Sequence, residues 1–169
     1  MTIYSFFIFD RHCNCVYDRE YTHSPNPSAT TQDKIDGQIN KNNDADNSKL
    51  LFGILYSLKT IAAKLVLEDS VLNELKQLTI GQYRIHFWES LTRFKFVIIT
   101  DIQVQSLQQE LWQLYSHFFI RYVVENALSP VEFKWKDDDS LQENEIYGKI
   151  NNGRFIQETD RYLKSLSIF

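Results

Sequence analysis

Ile3-Tyr4-Ser5-Phe6-Phe7-Ile8-Phe9-Asp10 is the stretch that decides the fold of this chain. At the two-residue period of a strand it puts Tyr4, Phe6 and Ile8 on one face. The other face receives Ile3, Phe7 and Phe9, with Ser5 as the only polar member. A strand apolar on both faces lies inside a sheet that has a layer above and a layer below. Asp10, Arg11 and His12 read as a turn, and a second strand follows through Val16 to about Tyr21. There Asn14, Asp18 and Glu20 alternate with Cys15, Tyr17 and Arg19, a half-exposed pattern that suits a more peripheral strand. The chain opens on a hairpin whose first strand is central.

The chain's 169 residues suit one domain, 1–169, with a single sizeable core. A hydrophobic share of 43% argues for a packed fold. A net charge of −4 argues against a main task of gripping a phosphate backbone, so no nucleic-acid partner is expected. Two cysteines make no disulfide framework. Cys13 and Cys15 are too close, on one side of a strand, to bridge easily, and a reducing compartment follows. The apolar start lacks a positive flank and runs into Asp10 and Arg11, unlike a secretory signal. The run Leu114 to Val124 is broken by Ser116, His117 and Arg121, unlike a membrane span. A soluble, cytoplasmic protein is the expectation.

From Thr22 to Asn47 the chain carries Pro25, Pro27, a Ser/Thr cluster and the polar run Asn40 to Asn47, with almost no apolar residues. Such a segment buries too little to offset its ordering entropy, and it reads as a mobile polar insertion over 22–47. A second insertion is expected over 134–151, around the acidic run Asp137 to Glu145. Between them, Leu50, Leu51, Ile54, Leu55, Leu58, Ile61, Ala62 and Leu65 mark the apolar stripe of an amphipathic helix capped from Asp46 to Ser48. Phe52, Tyr56, Lys59 and Ala63 fall mostly off that stripe. Gly53, inside the helix, is either tolerated at about 1 kcal/mol relative to Ala or admits a close backbone.

Three more strands are predicted: Leu75 to Ile80, Tyr83 to Trp88 after a bend at Gly81, and Phe94 to Asp101. The last is again apolar on both faces, so it belongs beside the first strand, and the spatial order is 2-1-5-4-3. A long helix is predicted from about Val104 to Asn126, apolar nearly all round in its second half. A last helix starts near Arg154, with Asn151 or Asn152 at its head.

Chemistry-bearing residues are sparse. His12, Cys13 and Cys15 offer three zinc-type ligands but no second spaced pair, and cysteines buried in a sheet account for them better. A Cys–His dyad through His86 has no local sequence mark. The dispersed glycines form no phosphate cradle, and the acidic run lacks calcium-loop spacing. His117, among helix aromatics, reads as a packed or surface side chain. No catalytic residue, cofactor or metal site is expected. Geometry is more telling. Five strands at about 4.8 Å make a face roughly 20 to 25 Å wide, whereas one helix covers about 10 Å. With two C-terminal helices sharing one face, the first helix is alone on the other, and the sheet beside it is open to a partner.

The order hairpin, helix, three strands, two helices is that of the longin, or SNARE-like, fold, an α+β class with one helix on one face and two on the other. Ile3-Tyr4-Ser5-Phe6, Ile8 through Cys15 and Tyr17-Asp18-Arg19-Glu20 closely resemble the small Bet-type longin subunits of the TRAPP tethering complex. Lys49-Leu50-Leu51 with Gly53 and Ser57-Leu58, Gly81 with Tyr83-Arg84 and His86, and Phe96-Val97 extend the match. So do Thr100-Asp101, Tyr115-Ser116-His117, Tyr122-Val123 and Leu128-Ser129-Pro130. The resemblance implies a non-enzymatic subunit supporting guanine-nucleotide exchange on a Rab GTPase in endoplasmic reticulum-to-Golgi transport. It implies a second longin-type subunit and a Bet-three-type subunit as partners, with peripheral membrane association at the cis-Golgi and endoplasmic reticulum only through the complex. The alternative is a small subunit of a clathrin adaptor or another longin trafficking complex. Arg11, Phe52, Tyr56 and Lys59 are the candidates for the partner and GTPase platform, expected on the open side of the first helix and the adjoining hairpin.

Overall fold

The computed structural model describes residues 2–21, 44–65, 73–130, 133 and 148–167. Most of the two polar insertions, 22–43 and 134–147, lies outside the described residues. The ends of both differ from expectation: the first helix already begins at Asp44, and 148–150 are packed against the sheet.

Five antiparallel strands form one sheet: β1 (Ile3–Phe9), β2 (Cys15–Glu20), β3 (Gln77–Ile80), β4 (Tyr83–Glu89) and β5 (Lys95–Asp101). Their order is β2-β1-β5-β4-β3, as the two doubly apolar strands require. Phe7 faces Val97 across the β1–β5 pair, and Phe87 faces Val97 from β4. Gly81 turns β3 into β4 with φ +59 at the first of two loop residues, where a type II′ hairpin needs glycine.

Two irregularities change which side chains share a face. The β1–β5 register steps from Ile3 opposite Thr100 to Ser5 opposite Ile99, leaving Tyr4 as the extra residue of a bulge. Ile3 therefore joins Phe6 and Ile8 in one cluster, not Phe7 and Phe9, and Tyr4 is partly exposed beside Ser5. A second bulge pairs Ile8 with Tyr17 and Phe9 with Cys15, so Val16 and Tyr17 both join the first cluster while Cys15 packs on the second.

Among the described residues, one layer is a single helix, α1 (Asp44–Lys64). The other begins with α2 (Gln108–Gln113), which continues without a break as a π-helix (Leu114–Val124), and ends with α3 (Gly153–Ser165). The predicted single helix from Val104 thus starts four residues later and changes its hydrogen-bond step, ending with the Glu125 amide donating to the Ile120 carbonyl. Ile3, Phe6, Ile8, Phe96 and Ile98 pack against Leu111, Leu114, Phe119, Phe155 and Leu163, all essentially without solvent contact. Each such side chain contributes about 1.5 to 3 kcal/mol relative to exposure. Asn152 heads α3: its Oδ1 accepts from the Arg154 and Phe155 amides, and its Nδ2 donates to the Tyr122 carbonyl at 2.6 Å. This is the longin-type, α+β architecture with one helix on one face and two on the other.

The open edge of β2 is occupied. The Ile150 amide donates to the Val16 carbonyl at 2.7 Å, and Lys149 pairs with the buried Asp18 at 2.8 Å. Arg19 and the Tyr21 hydroxyl both bond Asp160 on α3, at 2.7 and 3.0 Å. These contacts make β2 far more buried than the alternating sequence suggests.

Candidate functional site

α1 crosses one end of the sheet. Phe52 stands with its ring centroid 5.5 Å from that of Phe9, at the end of β1, and Lys95 Nζ, at the start of β5, lies 5.5 Å from its centre. Lys59 pairs with Glu89, the last residue of β4. Leu55, 2% exposed, belongs to the cluster of Phe7, Phe9, Ile85, Phe87 and Val97. The helix is therefore turned relative to the sequence expectation, with Phe52 and Lys59 toward the sheet and not on its open side. The reason is that α1 is apolar around most of its circumference, so periodicity alone could not say which arc faces inward. Gly53 has no atom within 4 Å of where a Cβ would stand, so it is tolerated and admits no close backbone.

The rotation leaves an apolar stripe outside. Leu50 (67% exposed), Ile54 (45%), Ile61 (52%) and Leu65 (72%) follow one another at intervals of four, seven and four residues along the outer surface. Tyr56, stacked on Phe52 with centroids 6.0 Å apart, is exposed on the opposite flank of the helix. Such an exposed row marks an interaction surface more readily than scattered apolar residues do. The sequence reading counted these four residues as core; the signal that could have corrected it was the presence of Phe52 and Tyr56 opposite the stripe.

At the other end of the strands, on the same face, lies a groove of about 480 Å³ lined by Tyr4, Glu20, Ile80, Tyr83, Ile85 and Ile99. It is the portion of sheet that α1 does not reach. Tyr4 and Tyr83 meet edge to face there, centroids 5.2 Å apart. Arg11, the fourth expected platform residue, is exposed at the β1–β2 turn, its Nε directed at His12 Nε2 at 3.1 Å. The structure thus brings Phe52 and Tyr56 together on α1, while Arg11 stands at the hairpin tip.

The reactive-residue candidates are kept apart. Ile85 and Phe87 face α1, so His86 between them points to the opposite layer, away from Cys15. Cys15 is held in a buried site, which pushes its thiol up to about 12, with the nearby Asp18 carboxylate adding to the effect. It is a protonated thiol at neutral pH, not a nucleophile. Cys13, expected in the sheet, is instead exposed in the turn with φ 73, so no pair of cysteines shares a strand face. Among the described residues, no three His, Cys, Asp or Glu side chains gather as a metal site.

Residues 3–138 match the model of the Sybindin-like family. The chain belongs to that family. It is 38% identical over 96% of its length to the Trafficking protein particle complex subunit BET5 of Saccharomyces cerevisiae, covering 96% of that protein. It is 29% identical to the Transport protein particle subunit bet5 of Schizosaccharomyces pombe, with 100% of each chain covered. A solved structure of Myxococcus xanthus MglB is a looser likeness, with a TM-score of 0.38, 15% identity, and 61% of this chain and 68% of that one covered.

Proposed function

We propose that this chain is a non-catalytic core subunit of the TRAPP vesicle-tethering complex, supporting guanine-nucleotide exchange on a Rab GTPase as part of an assembled platform. The observation that carries the reading is the 38% identity, over nearly the full length of both chains, to a subunit named for the trafficking protein particle complex. The fold supports it physically, because α1 is apolar on its outer side as well as its inner one. A second longin-type subunit covers the outer stripe, and a Bet-three-type subunit and the GTPase meet the assembled surface. Tyr56 and Arg11 are the platform residues placed to touch a partner; Phe52 and Lys59 serve by fixing α1 on the sheet. Support for a scaffold over an enzyme comes from the separation of Cys15 and His86 on opposite faces. Membrane association at the cis-Golgi and endoplasmic reticulum is through the complex; no helix among the described residues is long and apolar enough to cross a membrane.

Affinity purification of the tagged chain from its own cells, read by mass spectrometry, tests this. Small TRAPP subunits and a Rab should co-purify, and Ile54→Asp with Leu50→Asp should lose them while the purified variant melts as the parent does. Recovery of large adaptin chains in place of TRAPP subunits would refute the reading.

A further inference from the structure

The exposed stripe of α1 and the groove beyond it belong to one trough. α1 runs across the sheet from β2, where Ser48 meets Cys15, past Phe9 and Lys95 at Phe52, to Glu89 on β4 at Lys59. Phe52 and Lys59 thus look toward the β1–β2 and β4–β5 hairpin tips. Ile54 and Ile61 stand about 160° round the helix from them, at 3.6 residues per turn. Leu50, Ile54, Ile61 and Leu65 therefore turn to the other end of the strands, where the groove lies.

The floor of the trough is one row of register partners crossing all five strands. Glu20 on β2 pairs with Ser5, Ser5 with Ile99, Ile99 with Ile85, and Ile85 with Leu78 on β3. Five strands give that row a length of about 19 Å, and Leu50 to Leu65 span about 22 Å in the same direction. Tyr4, Ile80 and Tyr83, all partly exposed, stand along the far side. A seven-residue strand such as β4 is about 23 Å long, and a helix covers about 10 Å of it, so α1 leaves room for one more helix. The opposite face already carries two helical runs in contact, Phe118 of the π-helix against Tyr162 of α3 with centroids 5.2 Å apart.

An extended segment laid along this row would find side chains beneath it and no strand edge, which leaves its backbone N–H and C=O groups unpaired. A helix brings its own hydrogen bonds. The floor is apolar apart from the buried Ser5 and, at its β2 end, the exposed Glu20. The neighbouring cations are engaged elsewhere, Arg19 with Asp160 and Lys149 with Asp18.

We infer that the trough seats one amphipathic helix of a partner subunit, about four turns long, lying beside α1 with a lysine or arginine over Glu20. The inference rests on the reading of the chain as a subunit of a larger complex, and it adds the shape and charge of what covers the stripe.

The test uses the full chain in its own cells, with the photo-reactive amino acid p-benzoylphenylalanine placed in turn at Ile54, Ile80 and Trp112. Ile54 and Ile80 flank the trough, and Trp112 is exposed on the opposite layer. After illumination, mass spectrometry maps the attached residues. The probes at Ile54 and Ile80 should attach to one segment of one partner chain, at residues three, four or seven apart, and the probe at Trp112 should not reach that segment. Glu20→Lys should lower recovery of that chain tenfold or more while the isolated variant melts as the parent does. Glu125→Lys, at the exposed end of the π-helix, should leave recovery unchanged. Attachment at alternate residues, as from a strand, would overturn the inference, as would attachment to this chain itself, to two different partners, or to nothing. Parental recovery with Glu20→Lys would overturn it too. An adaptin carrying the helical spacing would refute the TRAPP reading alone, whereas a TRAPP subunit attached at alternate residues would refute the helix alone.

Discussion

Mild acidification should lower the stability of this protein through His86. Its imidazole is fully buried between the sheet and the α2–α3 layer, with Nε2 2.9 Å from Thr100 Oγ1 and Nδ1 without a partner. Thr100 Oγ1 is also 3.1 Å from the Asp101 carbonyl, to which it donates, so it accepts from Nε2–H and leaves Nδ1 bare. A proton added at Nδ1 would enter a buried position with no acceptor and with Arg84 nearby. Burial, and secondarily the Arg84 charge, lower the pKa of His86 from 6.5 to about 4. Between those values the unfolded chain binds the proton and the folded one does not, so stability is full above 6.5 and is lost as pH falls toward 4. Carried through the linkage relation, a shift of this size removes about 2 kcal/mol between pH 7 and pH 5. Urea unfolding at a series of pH values measures this directly. His86→Phe should flatten the slope between pH 6.5 and 5, because it removes the buried imidazole. An unchanged slope in the variant, or a flat profile in the parent, would refute the assignment.

Leu55→Ala removes the most buried side chain of α1 and should cost about 2 to 5 kcal/mol in denaturant unfolding, while Leu50→Ala should change little in the isolated chain. Gly81→Ala forces a Cβ into φ +59, which should cost about 1 to 2 kcal/mol although there is open space around it, again by denaturant unfolding. In the folded protein near pH 8, a thiol reagent should label Cys13 quickly and Cys15 only on unfolding, as mass spectrometry of the adducts would show.

The strand order was legible because β1 and β5 are apolar on both faces, and only central strands can bury both. The last helix was legible too, since Phe155, Thr159 and Leu163 recur at helical spacing above a capping asparagine. Three things were hidden. A bulge at Tyr4 adds a residue without any mark in composition, and every side chain before it changes face. The π-helical step from Leu114 is set by hydrogen bonding, to which an apolar pattern is blind. The rotation of α1 depended on whether Phe52 or Ile54 found the better place on the sheet, which is a matter of tertiary packing. Arg11, Phe52, Tyr56 and Lys59 stood out in the sequence as aromatic and cationic groups off the stripe, but the side to which Phe52 and Lys59 turn did not.

The segment 148–150 along β2 has a consequence for how many copies or partners can join this sheet by adding strands. An antiparallel sheet with two bare edges is a bifunctional monomer and can propagate into a fibre. Here one terminus of the sheet is already stoppered by the Ile150–Val16 hydrogen bond and the Lys149–Asp18 ion pair, whereas no described strand pairs with the outer side of β3. With one bare edge among the described residues, strand addition at β3 would yield a closed pair and then halt. Releasing the stopper, for example by Asp18→Lys, would turn a chain terminator into a link.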